Sequence, residues 1–289
     1  MNKKERKPKR NKLKIILEIS LFLICCIVFI HIRNDTFFYP RNDISSYQQL
    51  KNLNNFEEIN ISDNDINLNW WMYHDNSDTY KKPVIIYFGG NAENSSNTMW
   101  DFLSQWIFES FEWYNFLMLD YPWYWYSEGK PTKKNILNTT NYIHEWINRQ
   151  SNLDNKNIFI IWYSFWTKVA IHYASEHKIK GLILIAPDEV APYNGTKNLY
   201  KNIINIFYSP MKWISKNKLK LLLKFNNINV ETQIITSYKN QVIEYSLSNK
   251  PTESVKYRTI LNKNIEHSEY FYQNEVINII KNYLIKNFY

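Results

Sequence analysis

The chain has 289 residues, enough for one large domain with a sizeable core, and a formal net charge of +8. Eight Lys/Arg and one Glu fall in residues 1–14, a net of +7, which leaves +1 for everything else. A near-neutral body gives no argument for nucleic-acid binding, and having both cysteines within residues 15–32 excludes a disulfide framework in the body.

Residues 1–14 read as a basic cytoplasmic tail. Residues 15–32, from Ile15 to Ile32, form an apolar run long enough to span a bilayer, with Glu18 near the inner edge able to snorkel. The basic flank lies on the N-terminal side, so the N-terminus is expected in the cytoplasm and the body outside. No small-residue cleavage site follows, which favours an uncleaved single-pass anchor in the cell membrane over a removed signal peptide. Cys25 and Cys26 read as small apolar residues of that helix. Residues 33–56 are polar and irregular, and are expected to tether the body, residues 57–289.

Within the body, Glu57 to Ile61 and Ile66 to Tyr73 are strand candidates joined by a turn at Asp63-Asn64-Asp65. Buried strands are expected at Pro83 to Phe88, Phe116 to Leu119, Asn157 to Ile161 and Gly181 to Ile185. Further strands are expected at Gln233 to Ser237 and Arg258 to Leu261. Helices are expected over Lys133 to Arg149, Thr167 to Ser175 and about Gln273 to Asn287, with an amphipathic helical insertion over 196–225. Strands alternating with helices predict an α/β fold, a mostly parallel central sheet with helices on both faces.

The chemistry concentrates at the strand ends. Ser164 stands between the apolar run ending at Tyr163 and the helix starting near Thr167. Strand, serine, helix is the layout of a nucleophile elbow, in which a strained turn lifts a serine above a buried strand. His267 follows the last strand and precedes the last helix, where a general base could reach Ser164. Gly89-Gly90-Asn91-Ala92 directly follows a buried strand and takes two of the chain's 5 glycines. Backbone N–H groups preset there could hold a developing oxyanion, with Asn91 and Phe165 as the donors. For the third member of a triad, Asp188 after the next strand leads. Asn240, in the loop after the seventh strand, is the alternative, with Glu244 behind it. His172 and His177 are spaced five apart and do not share a helix face, so no metal site is expected. No cofactor is expected, since the serine mechanism needs none.

Phe88-Gly89-Gly90-Asn91-Ala92, the run from Leu119 to Gly129, Tyr163-Ser164-Phe165 and His267 resemble the α/β-hydrolases of the serine-aminopeptidase-like type. The resemblance covers roughly residues 55–289. It implies the α/β-hydrolase fold, with 196–225 as a small helical lid and the triad acid at the position of Asn240. It also implies histidine at the start of the oxyanion loop, where this chain has Gly89.

That pattern carries glycine where this chain has Trp123, Trp125, Trp162 and Trp166, and also at Trp70 and Trp113. The departures run one way. With 5 glycines against 11 tryptophans, they fit a gene whose UGA triplets, read as glycine in some bacterial lineages, are written here as tryptophan. Trp71 and Trp146 read as true tryptophans. An indole two residues either side of Ser164 would crowd the elbow, whose flanking glycines leave room for close backbone packing.

The leading expectation is a membrane-anchored serine hydrolase that cleaves an ester or amide bond through an acyl-enzyme on Ser164. Its substrate would be a small-molecule, lipid or peptide acyl compound, with no nucleic acid involved. The alternative is a non-catalytic, membrane-tethered binding domain on a degenerate fold of the same class. A scaffold whose tail binds anionic lipid is a weaker third reading.

Overall fold

The computed structural model describes residues 20–22, 45–63, 66–76, 80–90, 93–122, 124–129, 133–163, 167–187, 228–237, 255–261, 265 and 269–288. The chain divides between Tyr39 and Pro40 into two compact units. In the first, residues 20–22 are a helical turn. Among the described residues no helix is long and apolar enough to cross a membrane, and most of the expected span lies outside them. The expected lid at 196–225 also lies outside.

The second unit is built on one eight-stranded sheet in the order β1-β2-β4-β3-β5-β6-β7-β8. The strands are β1 (Phe56–Asp63), β2 (Ile66–Tyr73), β3 (Lys82–Phe88), β4 (Asn115–Leu119), β5 (Leu153–Tyr163), β6 (Gly181–Ile185), β7 (Thr232–Ser237) and β8 (Val255–Leu261). β2 pairs antiparallel with both β1 and β4, and every other pairing is parallel. β3, β4 and β6 are buried at every residue. Their unbroken apolar runs, Val84-Ile85-Ile86 or Leu182-Ile183-Leu184, suit strands covered on both faces.

Among the described residues five α-helices accompany the sheet: α1 (Ser45–Leu50), α2 (Ser95–Ser104), α3 (Lys133–Arg149), α4 (Thr167–Glu176) and α5 (Asn274–Phe288). α1 corrects part of the expected tether. Tyr47 and Leu50 share one face, and both are buried in the core, where Tyr47 meets Trp71 edge-on at 5.4 Å. α2 is absent from the sequence-based expectation, because its first turn is polar. Asn94 caps it, its Oδ1 accepting the Asn97 N–H at 2.7 Å, and Met99 and Phe102 face inward.

α5 buries Val276, Ile277, Ile280, Tyr283 and Leu284, a helical stripe at the spacing of successive turns. Tyr283 reaches the seam between β6 and β7. Its hydroxyl oxygen accepts the Leu182 N–H at 3.0 Å and its proton goes to the Glu231 carbonyl. That approach needs Gly181. A Cβ there would stand 2.8 Å from the Tyr283 hydroxyl and 2.9 Å from the Phe159 ring, and both side chains are buried. Gly181→Ala is therefore expected to destabilise the domain by about 1–3 kcal/mol, read as a lower urea midpoint at unchanged slope.

Candidate active site

The carboxyl ends of β3, β5, β6 and β7 form one edge. Phe88 pairs with Trp162, and Tyr163 with Ile185, so the ends of β3, β5 and β6 lie level. β5 stops at Tyr163 and α4 begins at Thr167, leaving residues 164–166 between strand and helix. The strand–serine–helix layout is thus present on both sides of Ser164. Ser164, Phe165, Asn91, Asp188, Asn240 and His267 themselves lie outside the described residues, as do Trp123 and Trp166.

Their neighbours fix what surrounds the edge. A Cβ on Gly90 would lie 3.5 Å from the Tyr163 ring, so the turn after β3 packs on the residue preceding Ser164. The Glu93 carboxylate accepts the Gly90 N–H at 3.0 Å, and the Glu93 N–H returns to the Gly90 carbonyl at 3.2 Å. These two bonds close the loop that carries positions 91 and 92. A Cβ on Gly89 would stand 2.6 Å from Glu93 Oε2, so a side chain there would displace the Glu93 carboxylate from its bond to Gly90.

From the other side comes the segment that carries position 267. The Tyr270 hydroxyl donates to Ser237 Oγ at 2.9 Å, tying that segment to the end of β7. Tyr270 and Phe271 lie with ring centroids 6.4 and 6.1 Å from Tyr163, and Phe271 meets Tyr87 edge-on at 5.2 Å. Tyr87 in turn donates its hydroxyl to Glu93 at 3.0 Å. Burial pushes the Tyr87 and Tyr163 phenols up, so both stay protonated and Tyr87 remains a donor. One aromatic cluster therefore joins the turn after β3, the end of β5 and the segment after β8. Glu93 and this cluster were missed by sequence reasoning. A Glu four residues beyond the first glycine of the turn was the available signal.

Asp120, at the end of β4, supports the same edge from beneath. It is buried and accepts the Ser95 N–H and Ser95 Oγ, each at 2.8 Å, at the N-terminus of α2. Ser127 Oγ donates to the Asp120 carbonyl at 3.0 Å and accepts the Asn69 N–H at 2.8 Å. Asp120 thus anchors the start of α2 through its carboxylate and the turn at Ser127 through its carbonyl. Burial raises its carboxyl to about 7, against the lowering effect of the two Ser95 bonds.

α4 leaves the serine and docks on α3 through stacked imidazoles. His144 and His177 lie 4.1 Å apart at 18°, with Tyr173 donating or accepting at His144 Nδ1 over 3.1 Å. Burial, then the nearby His144 and His172, lower His177 to about 4, against the opposing pull of Glu176. Among the described residues no group of three or more His, Cys, Asp or Glu is placed to hold a metal ion.

No family model matches the chain. Solved structures do. An α/β-hydrolase from Vibrio vulnificus superposes with a TM-score of 0.62 at 12% identity, covering 89% of this chain and 92% of that one. The Pyrococcus furiosus esterase Pf2001 gives 0.60 at 17%, covering 86% and 97%. A fungal esterase from Rhizomucor miehei gives 0.58 at 14%, covering 84% and 88%. The chain has the α/β-hydrolase fold. At these identities the likeness fixes the architecture and leaves chemistry to the site itself.

Two pH dependences follow from the groups in place. Asp120 is raised above its unfolded value, so its contribution to stability is full below about pH 4 and is lost as pH rises through about 7. Asp120→Asn, which still accepts the Ser95 N–H, should flatten that slope in a pH series of melting temperatures. Asp120→Ala should cost about 1–3 kcal/mol, because both Ser95 donors are left unpaired. His177 is lowered, so its contribution is present above about 6.5 and is lost as pH falls through about 4. His177→Gln should remove part of the drop in melting temperature between those values.

Proposed function

We propose that the chain is a membrane-anchored serine hydrolase acting on an ester or amide bond. One observation carries the reading. The strand–helix junction holding Ser164 lies where the Gly89–Gly90 turn and the Tyr270 segment both pack on Tyr163. A nucleophile, an oxyanion loop and a histidine-bearing segment are what acyl transfer requires at one edge. Similarity to structures described as esterases favours the ester over the amide.

In this mechanism the Ser164 hydroxyl attacks the carbonyl carbon and His267 takes its proton. The N–H groups of Asn91 and Phe165 hold the tetrahedral oxyanion. Collapse expels the alcohol or amine, which receives the proton from His267 and leaves an acyl-Ser164. Water, deprotonated by His267, then attacks the acyl carbonyl, and the proton returns to Ser164. Asp188 orients His267, with Asn240 as the alternative. Residues 196–225 form the lid. Glu93 places a carboxylate beside the oxyanion loop, which favours neutral or cationic acyl substrates over anionic ones.

Residues 15–32 form the anchor. Leu21 and Phe22, in the helical turn described there, expose their apolar side chains, as a lipid-facing segment would. The basic residues 1–14 hold the N-terminus in the cytoplasm and the domain lies outside.

Trp162 supports the second reading, a non-catalytic binding domain. It is fully buried in β5, and its indole N–H finds no acceptor among the described residues. A binding domain would tolerate that indole where an elbow would not.

Labelling of the full chain by a fluorophosphonate separates the two. The hydrolase reading expects wild-type protein to be labelled, and Ser164→Ala to lose both the label and about 10⁴-fold or more in turnover of an activated ester. A folded wild-type chain that takes no label sinks it. A membrane-impermeant probe on intact cells reports the side of the membrane, since labelling requires the domain to lie outside.

A further inference from the structure

Among the described residues, four that are not glycine hold a positive φ: Trp106 (58°), Trp113 (79°), Trp125 (51°) and Ala186 (42°). Three are tryptophans. In the left-handed region Cβ crowds the following carbonyl oxygen, and a bulky side chain there is an outlier. Each of the three sits in a different backbone motif, and each motif calls for glycine at that place.

Trp106 ends α2. The Ile107 N–H donates to the Phe102 carbonyl at 2.9 Å and the Trp106 N–H to the Leu103 carbonyl at 3.2 Å. With Gln105 as the cap, these are the two reverse bonds of a Schellman end, and Trp106 is the first residue past the cap. Phe102 and Ile107, the apolar pair that accompanies such an end, are both buried, while the Trp106 ring is 72% exposed. Packing gives no reason for an indole there.

Trp113 precedes β4. Glu112 has φ −45° and ψ 144°, Trp113 has φ 79°, and the Tyr114 N–H donates to the Phe111 carbonyl at 3.2 Å. That is a type II turn with Trp113 as its second central residue, the place that needs positive φ. The ring is 57% exposed. Lys82 Nζ lies 5.6 Å from its centroid, but is already held by Asp75 at 2.8 Å.

Trp125 is the first central residue of the turn Tyr124–Ser127, closed by the Ser127 N–H on the Tyr124 carbonyl at 2.7 Å. Positive φ at that place belongs to the primed turns, which glycine, asparagine and aspartate dominate. Its buried indole N–H has no acceptor among the described residues. Trp71 shares the unpaired indole N–H among the described residues but differs in backbone and packing, being in a strand, fully buried and edge-on to Tyr47.

We infer that Trp106, Trp113 and Trp125 are glycine in the protein made by its own cells, where the triplet written here as tryptophan is read as glycine. Backbone geometry carries this independently of the motif resemblance. It adds Trp106, which lies in no catalytic motif, and it separates replaced positions from true tryptophans such as Trp71. It does not rest on the hydrolase reading, since a non-catalytic domain would need the same three turns.

The test is the mass of peptides from protein isolated from its native host and cut after glutamate. Asn94–Glu109 carries Trp100 and Trp106, Trp113–Glu128 carries Trp113, Trp123 and Trp125, and Ile59–Glu93 carries Trp70 and Trp71, so the fragment masses within each peptide assign each position. Glycine is expected at Trp106, Trp113 and Trp125, and tryptophan at Trp71. An indole at any of the three overturns the inference. A second measurement uses the full chain expressed with the sequence as written. Trp106→Gly and Trp113→Gly should each raise the melting temperature by roughly 2–4 °C, because strain is relieved and no cavity is left. A fall on both replacements also overturns it. Neither readout depends on activity.

Discussion

The level pairing of β3 with β5 sets the geometry of the whole edge. Phe88 lies beside Trp162, so the chain leaves both strands at one height and the two following turns must share the space above them. Gly90 lies within ordinary contact of the Tyr163 ring, and Gly89 lies against the Glu93 side chain. Both turns end in helices, α2 from one and α4 from the other, so helix N-termini converge on the strand ends. This is the arrangement in which open α/β sheets place ligands.

The aromatic cluster gives that edge its rigidity. Tyr87, Tyr163, Tyr270 and Phe271 come from three separated stretches of chain, and each ring touches a ring from another stretch. Tyr270 and Tyr87 also spend their hydroxyls on Ser237 and Glu93. A side chain that is apolar along its body and polar at its tip can pack and position at once. The cluster therefore fixes the segment before α5 against β5 and β7, whatever chemistry the edge performs.

Much of this was legible in the sequence where one local signal sufficed. β2, β6 and α3 begin and end where the runs Ile66–Tyr73, Gly181–Ile185 and Lys133–Arg149 predict. Continuous apolar runs and a helical stripe are hard to mistake. α1 and α2 were hidden by polar residues: Ser45 and Gln48 are exposed on a helix that buries only Ser46, Tyr47 and Leu50, and Ser95 to Thr98 are buried against the rest of the domain. At the site, Ser164 and the Gly89–Gly90 turn could be picked out by position. Glu93 could not, because its role comes from a bond back to Gly90 and another from Tyr87. The anchoring role of Asp120 has no local signal, because its partner Ser95 lies 25 residues away.

The Tyr283 bridge has a consequence for when the domain can form. It joins a residue six from the chain's end to Leu182 and to Glu231, across 101 and 52 residues of sequence. Domains tend to fold from the N-terminus as the chain emerges, and contacts this distant must wait for their later partner. The β6–β7 seam cannot be sealed until the last helix has left the ribosome.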